Sequence, residues 1–173
     1  MGMIKVVVFI LLSLALVAFT LLRRQRHRFP RLVVFESVLG LVVLNAEHWF
    51  RNPLSLRQLV SWVVLTLSLA LAIHGFRLLH VAGSPQGDFE QTTRLVTTGA
   101  YHYIRHPMYC SLLLLGVGAF LKNPSFPSLL ILLVLGGFVY VTGRIEEAEN
   151  VARFGEEYLA YMNKTKMFIP FLI

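Results

Sequence analysis

Read for hydrophobic and polar positions, the chain of 173 residues is a series of long apolar runs cut by short polar turns. Five runs reach or approach the roughly 20 residues a helix needs to cross the hydrocarbon of a bilayer. They are residues 4–22, 32–50, 58–76, 107–121 and 125–143. Glu36, Asn45 and Glu47 interrupt the second, the third is uncharged throughout, and the fourth is the shortest. Residues 78–104 break the rhythm with Gly83, Pro85, Gly87, Asp88 and Gly99, and they read as a loop outside the lipid. Beyond residue 143, Ile145, Val151, Phe154, Tyr158, Leu159 and Tyr161 recur at roughly helical spacing. That predicts an amphipathic helix continuing from the fifth run, weakened at Gly155, with a short apolar tail after Lys166. The fold class expected is all-α: an integral membrane helical bundle of about five transmembrane helices. Residues 1–80 would hold three spans, and residues 81–173 two more with the loop and the C-terminal helix.

Composition agrees. Hydrophobic residues make up 56% and charged residues 14% of the chain, against about 25% charged in a soluble domain. Mean hydropathy is +0.67. The net charge of +7 could point to nucleic acid, but the basic residues punctuate apolar runs, so positive-inside sorting is the better reading and no nucleic-acid partner is expected. With the N-terminus outside, five crossings put Arg23, Arg24, Arg26, Arg28, Arg31, Arg77, Arg94, Arg105, Arg144, Arg153, Lys164 and Lys166 on the cytoplasmic side. Lys5, Arg51, Arg57 and Lys122 remain outside. The first run has no A-x-A cleavage site after it and reads as an uncleaved anchor. The setting expected is multi-pass insertion in a prokaryotic inner membrane, C-terminus cytoplasmic. The single cysteine, Cys110, excludes an internal disulfide and a cysteine-rich metal site, and no metal is expected.

This topology brings the segment TTGAYHYIRHPMYC (97–110) to the same membrane face as the polar C-terminal segment. Gly99 permits a turn other residues resist, and Pro107 suits the first turn of a helix. A helix start favours an anion, Arg105 can grip a carboxylate through two hydrogen bonds, and Tyr101, Tyr103 and Tyr109 supply aromatic faces for a ring or a cation. A small ligand with a carboxylate, a ring and a positive centre would suit them. Taken singly, each has a plainer reading: Arg105 as a topology charge, His106 as an interfacial residue, the tyrosines as belt residues, Glu146 and Glu147 as a solvated face.

The stretch LVTTGAYHYIRHPMY (95–109), followed by EEAENVARFGEEYLAYM (146–162) and a proline near the end, resembles the isoprenylcysteine carboxyl methyltransferases and the related phospholipid N-methyltransferases. Those are membrane enzymes that use S-adenosyl-L-methionine. The shared pattern, G-x-Y-x-x-x-R-H-P-x-Y, then E-E, then F-G-x-x-Y-x-x-Y, is met by Gly99, Tyr101, Arg105, His106, Pro107, Tyr109, Glu146, Glu147, Phe154, Gly155, Tyr158 and Tyr161. The resemblance covers under half the chain. It implies that residues 81–173 form a cofactor-binding core, with Val96, Gly99 and Tyr101 shaping the pocket and Arg105 and His106 as its polar wall. Pro107 would open the adjoining helix, Tyr109 would pack nearby, and Glu146 and Glu147 would meet the ammonium or ribose hydroxyls. Arg105 and Glu146 are the residues implied for catalysis. The partners implied are membrane lipids and a lipophilic or lipid acceptor, whether carboxylate, amine or another nucleophile.

The carboxyl methyltransferases of the family tend to carry an arginine four residues before the first of the two glutamates. Here that position is Thr142, and Arg144 lies two before. Two other readings stay open: a membrane sterol-type reductase using NADPH, although Tyr109 is followed by Cys110-Ser111 and not Gly-Glu, and a small non-enzymatic membrane protein. Elsewhere, His74 and His80 read as interfacial, Thr66 and Ser68 as bonded to their own helix, and Gly116, Gly118, Gly136 and Gly137 as close-packing positions.

Overall fold

Helices form where the apolar runs lie, and the polar residues decide where each one stops. The computed structural model describes residues 2–21, 28–85 and 92–169. Its helices are α1 (Gly2–Leu21), α2 (Arg28–Leu44), α3 (Leu56–Val81), α4 (Pro107–Lys122), α5 (Phe126–Phe154) and α6 (Glu156–Lys164), with single 3₁₀ turns at Ala46–His48 and Gly99–His102. Arg23, Arg24, Arg26, Gly87, Asp88 and the tail from Pro170 lie outside the described residues. α1, α3 and α5 are long and apolar enough to cross a membrane. α2 has 17 residues and α4 has 16. At 1.5 Å per residue each spans about 25 Å, a little short of the roughly 30 Å hydrocarbon core.

Three boundaries differ from the sequence reading. The second run ends six residues early because Asn45, fully buried, turns its amide onto the carbonyls of Leu41 (3.1 Å) and Ala119 (3.2 Å). α3 continues past residue 76 to Val81, carrying Arg77 and His80 on its last turns. α5 runs on to Phe154, where Gly155 adopts φ +57 and redirects the chain into α6. The expected single C-terminal helix is therefore two, because the residue at the bend has a conformation that suits glycine.

α4 is the hub of the bundle, packing on α2, α3 and α5. Its seam with α3 is built from small residues seven apart. Ser61 donates to the carbonyl of Gly118 (2.7 Å), Ser68 to that of Ser111 (2.7 Å), and Gly75 lies against Pro107 and Met108. The seven-residue spacing keeps one face of each helix on the seam, and small side chains let the backbones approach. Ser68 thus bonds across helices and not within its own, whereas Thr66 does bond back to Trp62 (2.9 Å). Gly116 and Gly118 are close-packing sites: a Cβ there would lie 2.3 Å from Leu135 and 2.7 Å from Leu65. Gly136 and Gly137 are not, since a Cβ at either meets nothing within 4 Å. Val34, Leu41, Ala119, Leu135 and Val139 fill the core, while α1 and α3 expose Ile4, Leu11, Leu14, Val63 and Leu67 outward, as a lipid-facing surface does.

At one end of the bundle Lys122 is fully buried, with Nζ 3.1 Å from Gln58 Oε1 and 3.5 Å from the centre of the Trp62 ring. Gln58 in turn donates to the carbonyls of His48 and Lys122. The cation is held by an acceptor and a ring face, and it ties α3, α4 and the turn after α2 together. On that same side Lys5 pairs with Glu47 at 2.7 Å.

Candidate active site

The other end of the bundle holds the motif of residues 97–110. Two elements position it. Gly99 has φ +59, and a Cβ there would sit 2.7 Å from His74 Nε2 and from Leu78, so this turn fits only glycine against α3. His74 also accepts the Ala100 N–H at 3.4 Å, so it supports the turn and is more than an interfacial residue. The second element is the tail after α6. Lys166 N–H donates to Tyr103, Arg105 N–H to Lys166 (2.8 Å) and His106 N–H to Met167 (3.1 Å), a short parallel pairing of 103–106 with 166–167. Met167 and Phe168 then cover Gly143, where a Cβ would lie 2.5 Å from Met167.

Inside this frame the side chains divide into two groups. Arg105 is a brace. Its Nε donates to Glu147 Oε1 at 2.6 Å, and Nη1 donates to the carbonyls of Met162 (3.3 Å) and Thr165. Glu147 is only 3% exposed and faces Arg105 and His106 Nε2 (3.6 Å). Glu146, the residue before it, turns into a pocket, where it accepts a hydrogen bond from the Tyr109 hydroxyl and lies 3.7 Å from His106 Nδ1. Arg105 pairs with Glu147, and both Arg105 and Glu146 line the pocket. Tyr161 donates to the Tyr101 carbonyl at 2.6 Å. Burial pushes the Tyr101 and Tyr161 hydroxyls well above the usual tyrosine range and Tyr158 up to about 12. These groups stay protonated at neutral pH and act as donors.

The pocket has a volume of about 210 Å³. Val96, Tyr101, Arg105, His106, Tyr109 and Glu146 line it, as do Asn150, Phe154, Tyr158 and Tyr161. Gly99, Pro107 and Glu147 are not in its wall: Gly99 makes the turn beside it, Pro107 is the first residue of α4, and Glu147 holds Arg105 from behind. Arg31, Phe35, Ala72 and Leu79 come from the first half of the chain and also line it. The signal for them was faint: Arg31 and Phe35 are one turn apart at the basic end of α2, and Ala72 and Leu79 are two turns apart on α3. The pocket thus mixes charged and aromatic side chains with apolar ones contributed by α2, α3 and α4.

These features define a helical membrane protein with a mixed polar and apolar pocket at one end of its bundle. Residues 56–157 match the phospholipid methyltransferase family, and the chain belongs to that family. It is similar to a probable protein-S-isoprenylcysteine O-methyltransferase of Oryza sativa subsp. indica, 32% identical over 130 residues, covering 73% of this chain and 64% of that one. It is also similar to the protein-S-isoprenylcysteine O-methyltransferases of Saccharomyces cerevisiae (32% identical; 54% and 42% covered) and Schizosaccharomyces pombe (38%; 45% and 34%). The matched region spans less than two thirds of the length of these relatives.

Proposed function

We propose that the protein is a methyltransferase that takes its methyl group from S-adenosyl-L-methionine and delivers it to a lipophilic acceptor within the membrane. The observation that carries this reading is the mixed pocket: Glu146, Arg105, His106 and four tyrosines line it together with apolar residues of three helices. The donor set suits the cofactor. Glu146 matches an ammonium or ribose hydroxyls, His106 Nε2 is a buried nitrogen with no hydrogen-bond partner among the described residues, and Tyr101, Tyr158 and Phe154 offer ring faces to a purine or a sulfonium. When bound, S-adenosyl-L-methionine supplies a methyl group on a sulfonium, the carbon–sulfur electron pair staying on sulfur as an acceptor atom gains the methyl. The residues contribute position and a water-poor surround, since methyl transfer needs alignment more than acid–base help. The bundle is oriented with the N-terminus outside and this pocket at the cytoplasmic face, as the charge distribution favours.

Purified protein incubated with methyl-labelled S-adenosyl-L-methionine and a lipid extract is expected to place label in an organic-soluble product identifiable by mass spectrometry, with S-adenosylhomocysteine suppressing it. Label that never leaves the donor with any lipid or prenylated acceptor would count against the reading.

A further inference from the structure

The end of the bundle opposite the candidate active site holds a second cavity, of about 270 Å³, with a different chemistry. His48, Arg51, Asn52, Arg57, Gln58 and Asn123 line it, and no carboxylate is among them. Glu47 is next to His48 in the chain, but its carboxylate is taken by Lys5 at 2.7 Å. Lys122, also at this end, is fully buried and held by Gln58 and the Trp62 ring. Arg51 and Arg57 have no such partner: neither side chain makes an ion pair or a hydrogen bond among the described residues. His48 Nδ1 is a buried nitrogen that lacks one as well. Two unpaired guanidiniums in one acid-free cavity favour an anion there.

The stretch RNPLSLRQ (51–58) builds the site. Asn52, at φ +50, and Pro53 turn the chain, and α3 starts at Leu56, so Arg57 and Gln58 fall on its first turn. Ser55 makes no capping hydrogen bond with its side chain, which leaves the first N–H groups of α3 open to another acceptor. The positive end of the helix adds to the two arginines. Gln58 is held in place: it is 1% exposed, donates to the carbonyls of His48 and Lys122, and accepts from Lys122 Nζ.

The surroundings indicate what carries the anion. Phe50, Leu54 and Leu56 adjoin these residues in the chain and are strongly exposed. Trp49 packs on Trp62 with ring centres 5.9 Å apart, and Phe50 lies 5.9 Å from Trp62 on a tilted ring contact. Tryptophan gathers at the depth of lipid head groups, and basic pockets between membrane helices take anionic head groups. We infer that this cavity binds the phosphate of an anionic membrane phospholipid, gripped by Arg51 and Arg57, with the acyl chains meeting Phe50, Leu54 and Leu56. Arginine matches phosphate through paired N–H donors, and Asn123 can add an amide donor. A zwitterionic head group would bring an ammonium to a wall with no acid to receive it. The bound lipid is not the methyl acceptor, because it sits at the other end of the bundle from residues 97–110, and its site stands whether or not the first pocket transfers methyl groups. Once occupied, it ties the turn after α2 to the start of α3 and the end of α4.

Trp49 and Trp62 are the two tryptophans of the chain, so intrinsic fluorescence reads this end of the molecule alone. The test is a titration of the full chain in detergent with dioctanoyl phosphatidylglycerol, dioctanoyl phosphatidylcholine and inorganic phosphate. Phosphatidylglycerol is expected to give a saturable change, at least tenfold tighter than phosphatidylcholine, and inorganic phosphate none at the same concentrations. Arg51→Gln and Arg57→Gln should each weaken phosphatidylglycerol about 10- to 150-fold, the range of one charge-assisted contact. Both side chains are exposed, so the lipid-free variants should melt as the parent does. Arg77→Gln, exposed at the other end, should bind as the parent does. Equal affinity for the two lipids, parent-like binding by both Arg51→Gln and Arg57→Gln, or an equal loss in Arg77→Gln would each overturn the site. Inorganic phosphate reproducing the change would overturn the lipid as its occupant.

Discussion

Arg105 and Glu147 set what a point substitution does here. They form a nearly buried pair at 2.6 Å, side chains 11% and 4% exposed. Removing one partner leaves a buried charge uncompensated, which costs about 3–5 kcal/mol. Arg105→Ala is therefore expected to lower the melting temperature sharply as well as weaken cofactor binding, and Arg105→Lys to rescue little because an ammonium lacks the fork. A melting temperature close to that of the parent would mean that the pair is not a brace. Glu146→Gln is the cleaner probe of the ligand, since Glu146 lines the pocket beside Tyr109 and the brace stays intact. It should weaken S-adenosylhomocysteine binding about 10- to 150-fold with the melting point held. At this scale the sequence was informative about identity and less so about direction. Arg105, His106, Glu146 and Glu147 could be picked from the motif, but adjacent residues on a helix point about 100° apart, and which glutamate faces Arg105 depends on how α4 and α5 are rotated against each other.

Helices that meet through small residues are sensitive to volume. Gly118→Val would place side-chain carbons where Leu65 stands and is expected to destabilise by about 1–3 kcal/mol or more, whereas Gly136→Ala should be near neutral. Thermal unfolding in detergent distinguishes them, and equal effects at both positions would show that the α3–α4 seam is not as tight as described. The tail after α6 is the second element with a consequence. Deleting residues 165–173 removes the chain that pairs with 103–106 and the Thr165 carbonyl that Arg105 binds, and it should abolish cofactor binding while α1 to α3 still insert. The helices themselves were legible as apolar runs. Their ends were less so. Asn45 and Gly155 act through a buried cap and a positive φ, and a hydropathy profile registers neither. The cross-helix bond of Ser68 was hidden for the same reason, since a serine in an apolar run reads alike whether it bonds its own helix or a neighbour.

For the whole molecule the central question is how two ends of different character relate to the membrane. One end carries Lys122, Gln58 and two tryptophans; the other carries the pocket, Arg31, Arg105 and the C-terminal helices. If the pocket end is cytoplasmic, Ser84→Cys and Lys164→Cys in a Cys110→Ser background should react with a membrane-impermeant thiol reagent only in inside-out vesicles, and reaction from opposite sides would break the topology. The division expected at residue 80 follows where the motifs lie, and residues on both sides of it line one pocket. The central claim is that this pocket is built for S-adenosyl-L-methionine. Titration calorimetry of the purified protein with S-adenosylhomocysteine and, separately, with NADPH tests it most directly. Saturable S-adenosylhomocysteine binding that Glu146→Gln weakens at least tenfold is expected, with no heat from NADPH. Heat from NADPH with none from S-adenosylhomocysteine at millimolar ligand would contradict it.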